Sequence, residues 1–237
     1  MLVGHHAVAY AAKRLVPGVP LGILLAASLF ADLLVSVDQL VGVEHARSTP
    51  GITAFSSLDG YDIALSHSLA TSLLWSLIVS GAYLWWRRDQ RGATIVGVVV
   101  FSHWVLDLVS HRPELPLAPG VCAYLGLGLW NSIPMTFAVE GALWVGGLAI
   151  YMRATRARSR SGTVGLLPLI AIPTAGWIRT PFMSFAPGDI SARTLIALLA
   201  LQSGLCVLAS WVDRHRSPRS LESAGPTPAR TRSSRLR

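Results

Sequence analysis

Residues 93–110, ATIVGVVVFSHWVLDLVS, form an almost wholly apolar run that carries His103 and Asp107 four residues apart. About 20 apolar residues cross a bilayer core as a helix, so this stretch reads as a membrane span and decides the fold class. Ionisable groups inside such a run are costly and are commonly functional. Positions i and i+4 share one face of an α-helix, and His111, four residues further on, extends the same stripe. Ligand-type side chains on one helix face at membrane depth point to a metal ion.

The rest of the chain supports a membrane setting. Hydrophobic residues make up 52% and charged residues only 14%, with a mean hydropathy of +0.51, more apolar than a soluble core of this length requires. Further apolar blocks at 18–43, 65–86, 132–151, 163–178 and 192–212 predict an all-α, polytopic transmembrane helical bundle of about six spans. Pro168 and Pro173 interrupt the fifth block, and residues 1–15 are expected to form a short N-terminal helix. The N-terminal stretch lacks the basic start of a cleavable signal, so the first span is expected to act as its own anchor.

A net charge of +8 first suggests nucleic acid, but the basic residues collect at alternate ends of the spans. Lys13 and Arg14 precede the first; Arg87, Arg88 and Arg91 separate the second and third; Arg153, Arg156, Arg158 and Arg160 follow the fourth. The positive-inside rule then predicts a multi-pass protein of the plasma (inner) membrane with both termini cytoplasmic. Residues 213–237, rich in Ser, Pro and Arg, are expected to be a disordered tail attracted to anionic lipid, with no nucleic-acid partner. Cys122 and Cys206 show no metal or redox spacing, and there is no glycine-rich phosphate loop and no GxSxG elbow.

A rise of about 1.5 Å per residue sets depths within the bilayer. Asp32 lies roughly 18 Å from the cytoplasmic surface and His103 roughly 15 Å, with Asp107 one turn further out. If the first helix dips back into the bilayer, His5 reaches about 12 Å. His67 opens the second span from the far side, and Glu140 in the fourth reaches a similar level. Three organisational regions follow: 1–119 with the His/Asp motifs, 120–212 with further spans, and the tail from 213.

At four places in order the sequence resembles the membrane-bound metal-dependent hydrolases described as inner-membrane-associated and LexA-binding. The opening Gly-His of that family is similar to Gly4-His5-His6-Ala7-Val8-Ala9, and its first-span acidic motif is similar to Leu29-Phe30-Ala31-Asp32 with Asp38 trailing. Its Thr-His-Ser-Leu appears as Ser66-His67-Ser68-Leu69, and its Ser-His-x-x-x-Asp helix as Ser102-His103-Trp104-Val105-Leu106-Asp107, followed by His111-Arg112-Pro113. Gln39 stands where the family closes its acidic motif with His, and Tyr61-Asp62-Ile63-Ala64 replaces its His-Arg-Gly. The resemblance covers 1–119.

The resemblance implies a divalent metal, zinc in the first instance, and hydrolysis of an ester or phosphoester. Imidazole and carboxylate suit zinc, which needs about three protein ligands and one open position for water. His5, Asp32, His67, His103 and Asp107 are the candidate metal ligands. Asp107, His111 and Glu140 are the candidate catalytic or proton-transfer groups, and Arg112 is the candidate contact for an anionic headgroup. Such a site would suit a lipid or lipid-phosphate substrate. Two other classes remain consistent with the residues. A proton- or ion-coupled carrier also places His and Asp at midplane, and a non-catalytic membrane scaffold would account for the missing family ligands. Asp38, Asp59 and Asp62 read as solvated charges, and His6 as a weaker ligand candidate than His5.

Overall fold

The computed structural model describes residues 1–183 and 186–219. Helices dominate: α1 (Val3–Ala12), α2 (Leu21–Ser28), α3 (Phe30–Leu40), then strands β1 (His45–Ser48) and β2 (Leu58–Asp62). Next come α4 (Ala64–His67), α5 (Leu69–Arg87), α6 (Gln90–Ser110), the short strands β3 (Leu115–Pro116) and β4 (Tyr124–Leu125), and α7 (Ile133–Ala154). The chain continues with β5 (Thr155–Ala157), α8 (Arg160–Val164), α9 (Leu166–Arg179), β6 (Gly188–Asp189), α10 (Ala192–Arg214) and β7 (Arg216–Pro218).

Among the described residues, five segments are long and apolar enough to cross a membrane: α5, α6, α7, Arg160–Phe182 and α10. The bent pair of α2 and α3 makes a sixth if it counts as one span. α6 is the central helix, with 50% of its apolar window buried against 17–22% in the others. The weakly buried helices keep their apolar faces outward, as a lipid environment demands.

Two spans that read as continuous in the sequence are broken. The block at 18–43 bends by 58° at Leu29, where the backbone leaves helical geometry and α3 starts afresh at Phe30. The block at 65–86 breaks at Ser68, an extended residue whose hydroxyl accepts from the Thr71 amide and caps α5. The prolines of the fifth block are absorbed instead. Pro168 falls in the first turn of α9, where no intrahelical amide bond is lost, and Pro173 lies within that helix.

α1 is ten residues long, about 15 Å, too short to span, yet it is buried on nearly every side. It packs chiefly against α7, α2 and α6. Tyr10 meets Trp144 and Tyr151 edge-on at 5.5 and 5.2 Å, and the absence of a side chain at Gly147 lets α7 approach the α1 backbone. A Cβ there would stand 2.4 Å from the Ala7 carbonyl oxygen.

At the arginine-rich end, Lys13 is buried, donating to the Val19 carbonyl at 2.7 Å and to Asp213 at 2.5 Å. β7 pairs antiparallel with β5. The folded chain therefore continues past Val212 to at least Arg219, further than the sequence suggested, because Asp213 and Arg216–Pro218 have partners in the body. The remaining tail, from residue 220, lies outside the described residues. At the opposite end, strands ordered β2-β1-β6 and the β3-β4 hairpin cover the helix ends.

Replacing Gly147 with Leu is expected to destabilise the protein by about 1–3 kcal/mol through overpacking against α1, read as a lower thermal midpoint in detergent. Leu at Gly146, which has open space around it, should leave the midpoint unchanged.

Candidate metal centre

The break at Leu29 places Asp32 in the first turn of α3. The Ser28 carbonyl, the last of α2, accepts a hydrogen bond from His103 Nδ1 at 2.7 Å. A carbonyl can only accept, so Nδ1 carries the proton, and in its neutral form His103 presents a bare lone pair at Nε2. That nitrogen is 3.1 Å from Asp107 Oδ2 and 3.7 Å from Asp32 Oδ1, is buried, and has no hydrogen-bond partner. Two acceptors held face to face in this way are suited to a cation between them.

The other histidines converge on the same carboxylate. His67, the last residue of α4 before the break at Ser68, has Nδ1 2.7 Å from Ser66 Oγ, and its Nε2 is 3.7 Å from Asp107 Oδ2 and 4.0 Å from Asp32 Oδ1. His5 Nε2 is 3.0 Å from Asp107 Oδ1, and its ring stacks on His103 at 3.7 Å with the planes 1° apart. His111 has Nδ1 2.6 Å from Glu114 Oε1, with Nε2 3.8 Å from Asp107 Oδ1. The amino group of Met1 also donates to Asp107 Oδ1 and, at 2.9 Å, to Ser110 Oγ.

Asp107 thus separates two sides: Oδ2 faces His103 and His67, which also approach Asp32, while Oδ1 faces His5 and His111. Two triads have ligand atoms all within 4.8 Å of one another, namely Asp32/His67/His103 and His5/His103/Asp107. Donors around a four-coordinate zinc are about 3.3–3.6 Å apart, and the spacings of 3.1–4.0 Å on the Oδ2 side bracket that range. The set also matches the usual arrangement in which the second ring nitrogen of a ligating histidine is held by a carbonyl, hydroxyl or carboxylate. The residues could therefore hold a metal ion.

A cavity of about 90 Å³ reaches this cluster, lined by His5, Asp32, His67, Asp107 and His111, with Gln39 at its wall and apolar Val35, Ala46, Leu58 and Ile63 around it. Asp32 is the most open of the ligand-type groups, its side chain 34% exposed against 2–7% for His5, His67, His103 and Asp107. A wider cavity of about 570 Å³ between α2, α5, α6 and α10 is lined by apolar side chains such as Phe30 and Val79 and contains no His, Asp or Glu.

Two expected roles are taken up differently. Glu140 is fully buried, but its Oε2 accepts from the amides of Leu2 and Val3, and its Oε1 from the Trp130 indole. It therefore holds the start of α1, and with it His5, rather than carrying protons at the centre. Arg112 lies between Asp59, 2.5 Å away, and Glu114, 3.0 Å away. These carboxylates neutralise the charge that was expected to meet a headgroup. His6 packs against Trp144, away from the ligand cluster.

Several supporting residues went unnoticed in the sequence or were read as solvated. Glu114 follows His111 at i+3 and orients its ring. Glu44, 1% exposed, accepts from the amides of Leu65 and Ser66 at 2.7 and 2.9 Å and so seats α4 and His67. Asp59, expected in solvent, is 1% exposed and bound by Arg47 and Arg112. Only the Glu114 spacing left a trace in the sequence. No family model, curated protein or solved structure matches this chain.

Burial tends to raise the Asp59 carboxyl, but hydrogen bonds from Arg47 and Arg112 outweigh it and hold the group below the usual carboxylate range. A depressed folded-state value stabilises the fold above the unfolded value of about 3.9, and that contribution is lost as pH falls through the folded value. Thermal midpoints measured from pH 6 downward should fall below about pH 4, and Asp59→Asn should start lower and lose less over that window.

Proposed function

We propose that this chain is a membrane-embedded, metal-dependent hydrolase of the plasma membrane, with both termini cytoplasmic, acting on an ester or phosphoester. The observation that carries the reading is the cluster of buried donors around Asp107, above all the unpartnered His103 Nε2 lying 3.1 Å from a carboxylate oxygen. Two carboxylates, Asp32 and Asp107, within one helical bundle and among histidines whose Nε2 atoms turn inward, leave negative charge beyond what the Met1 amino group on Asp107 Oδ1 offsets, and a divalent cation balances it. The family resemblance and the basic loops support the activity and the orientation respectively.

Asp32, His67 and His103, with Asp107 Oδ2, would hold the ion; zinc suits these donors. A bound zinc supplies Lewis acidity and brings the pKa of its water toward 7. Ser28 and Ser66 keep the imidazoles turned inward. His5 and His111, on the far oxygen of Asp107, are placed to take and return a proton there, and Glu114 sets the tautomer of His111. The apolar wall formed by Val35, Ala46, Leu58 and Ile63 limits bulk water. A coupled carrier is the second reading, favoured by the 58° break beside a polar centre.

The test is elemental mass spectrometry on detergent-purified protein, with hydrolysis of p-nitrophenyl acetate and bis(p-nitrophenyl) phosphate measured in the absence of any gradient. Wild type should hold about one zinc per chain with measurable turnover. The His103→Ala, Asp107→Ala pair should lose both, and Glu114→Gln, which removes the partner orienting His111, should lower turnover about 10–100-fold with metal content unchanged. Metal without turnover favours the carrier, and a folded wild type that takes up no metal rules out the hydrolase and leaves a proton-coupled carrier or a non-catalytic scaffold.

A further inference from the structure

From Leu115 to Val139 the chain contains no Asp, Glu, Lys, Arg or His, although it links the ends of two candidate spans, α6 and α7. Its first part is the β3-β4 hairpin, with Leu115 paired to Leu125 and Pro116 to Tyr124. Four apolar side chains of this hairpin are exposed: Val121 is 44% exposed, Tyr124 51%, Leu125 38% and Leu127 74%.

The hairpin does not stand off from the bundle. The Leu127 amide donates to the Leu108 carbonyl at 2.7 Å, and the Ala70 amide donates to the Leu117 carbonyl at 3.0 Å. Leu108 lies in the last turn of α6 and Ala70 in the first turn of α5. The exposed apolar side chains are therefore level with the ends of the spanning helices, where headgroups give way to acyl chains. A water-facing loop of this length would normally carry charge, and an apolar surface at that depth is matched by lipid.

Behind the hairpin lies a cavity of about 160 Å³, bounded by Pro116, Val121 and Tyr124 on one side and by Gly60 and Ile63 on the other, with Asp62 and Glu114 also in its lining, the first paired with His45 and the second with His111 and Arg112. Gly60 and Ile63 also wall the cavity of the metal centre, so the two spaces adjoin. We propose that the hairpin at 115–127 is seated in the bilayer boundary and forms the side entrance through which a lipid ester or phosphoester reaches the centre. This rests on the hydrolase reading for the bond cleaved, while the seating of the hairpin stands independently of it. An acyl chain lies against Val121, Tyr124, Leu125 and Leu127, and the headgroup passes the wall formed by Gly60 and Ile63.

Cys122 sits in this hairpin and is exposed, and Cys206 is the only other thiol. In a Cys206→Ser background, Cys122 is labelled with a nitrobenzoxadiazole dye and the protein is placed in phosphatidylcholine nanodiscs with doxyl-labelled lipid. Cys206→Ser, Cys122→Ser, Pro50→Cys, labelled at an exposed position of the β1-β2 loop, serves as the aqueous reference. The Cys122 label should be blue-shifted and quenched by doxyl lipid at least about twofold more than the reference, with weaker quenching by iodide. Equal iodide quenching at both positions, without doxyl quenching, overturns the proposal whether or not the protein hydrolyses anything.

The entrance is read with substrate pairs sharing one scissile bond: p-nitrophenyl palmitate against the acetate, and phosphatidic acid in vesicles against p-nitrophenyl phosphate. Leu127→Asp should lower turnover of the lipid member about tenfold, with the soluble member and metal content unchanged. Equal effects on both members overturn the entrance. Absence of turnover of any substrate by the wild type defeats the hydrolase reading and with it the entrance, and the quenching result then decides the seating alone.

Discussion

Asp107 places a carboxylate in the middle of an apolar bundle, and its two oxygens must each be met by something other than water. His103 and His67 approach one oxygen, and His5 and His111 the other. These groups come from α1, α4, α6 and the loop after it, so satisfying one side chain draws separate parts of the chain to one point. Removing one member leaves the others buried without a polar partner, which costs more than the pairing itself contributes.

The irregularities of the backbone serve this arrangement. The break at Leu29 frees the Ser28 carbonyl for His103 and turns Asp32 toward the cluster. The break at Ser68 does the same for His67, whose short helix is seated by Glu44. Within lipid, interrupted helices persist only where other groups take up the released backbone atoms. Here a histidine ring and a buried carboxylate do so, and neighbouring α5 and α6 run uninterrupted.

The membrane bundle and the heart of the site were legible in the sequence because lipid makes ionisable residues anomalous. His103 and Asp107 stood out in residues 93–110 for that reason, and α6 carries them on one face. The breaks were not legible, since apolar content alone says nothing about where a hydrogen-bond ladder stops, and the block at 18–43 looked uniform. Asp59 resembled any loop carboxylate because its partners, Arg47 and Arg112, lie 12 and 53 residues away and meet it only after β1 and β2 pair. Glu140 was placed at the level of the cluster, but its role depends on α1 docking end-on to it, which no local pattern announces.

The seating of α1 also imposes an order on assembly. His5 lies far upstream of the groups that hold its helix in place: Glu140, which accepts from the Leu2 and Val3 amides, and Gly147, which admits the Ala7 backbone. During synthesis, the donors at 32, 67, 103 and 107 all enter the membrane before α7 exists. Until the fourth long hydrophobic block has been delivered, α1 lacks Glu140 and the α7 face that hold His5 on the Oδ1 side of the cluster. A nascent chain stopped short of α7 would carry most of the ligand atoms without the helix that closes them in.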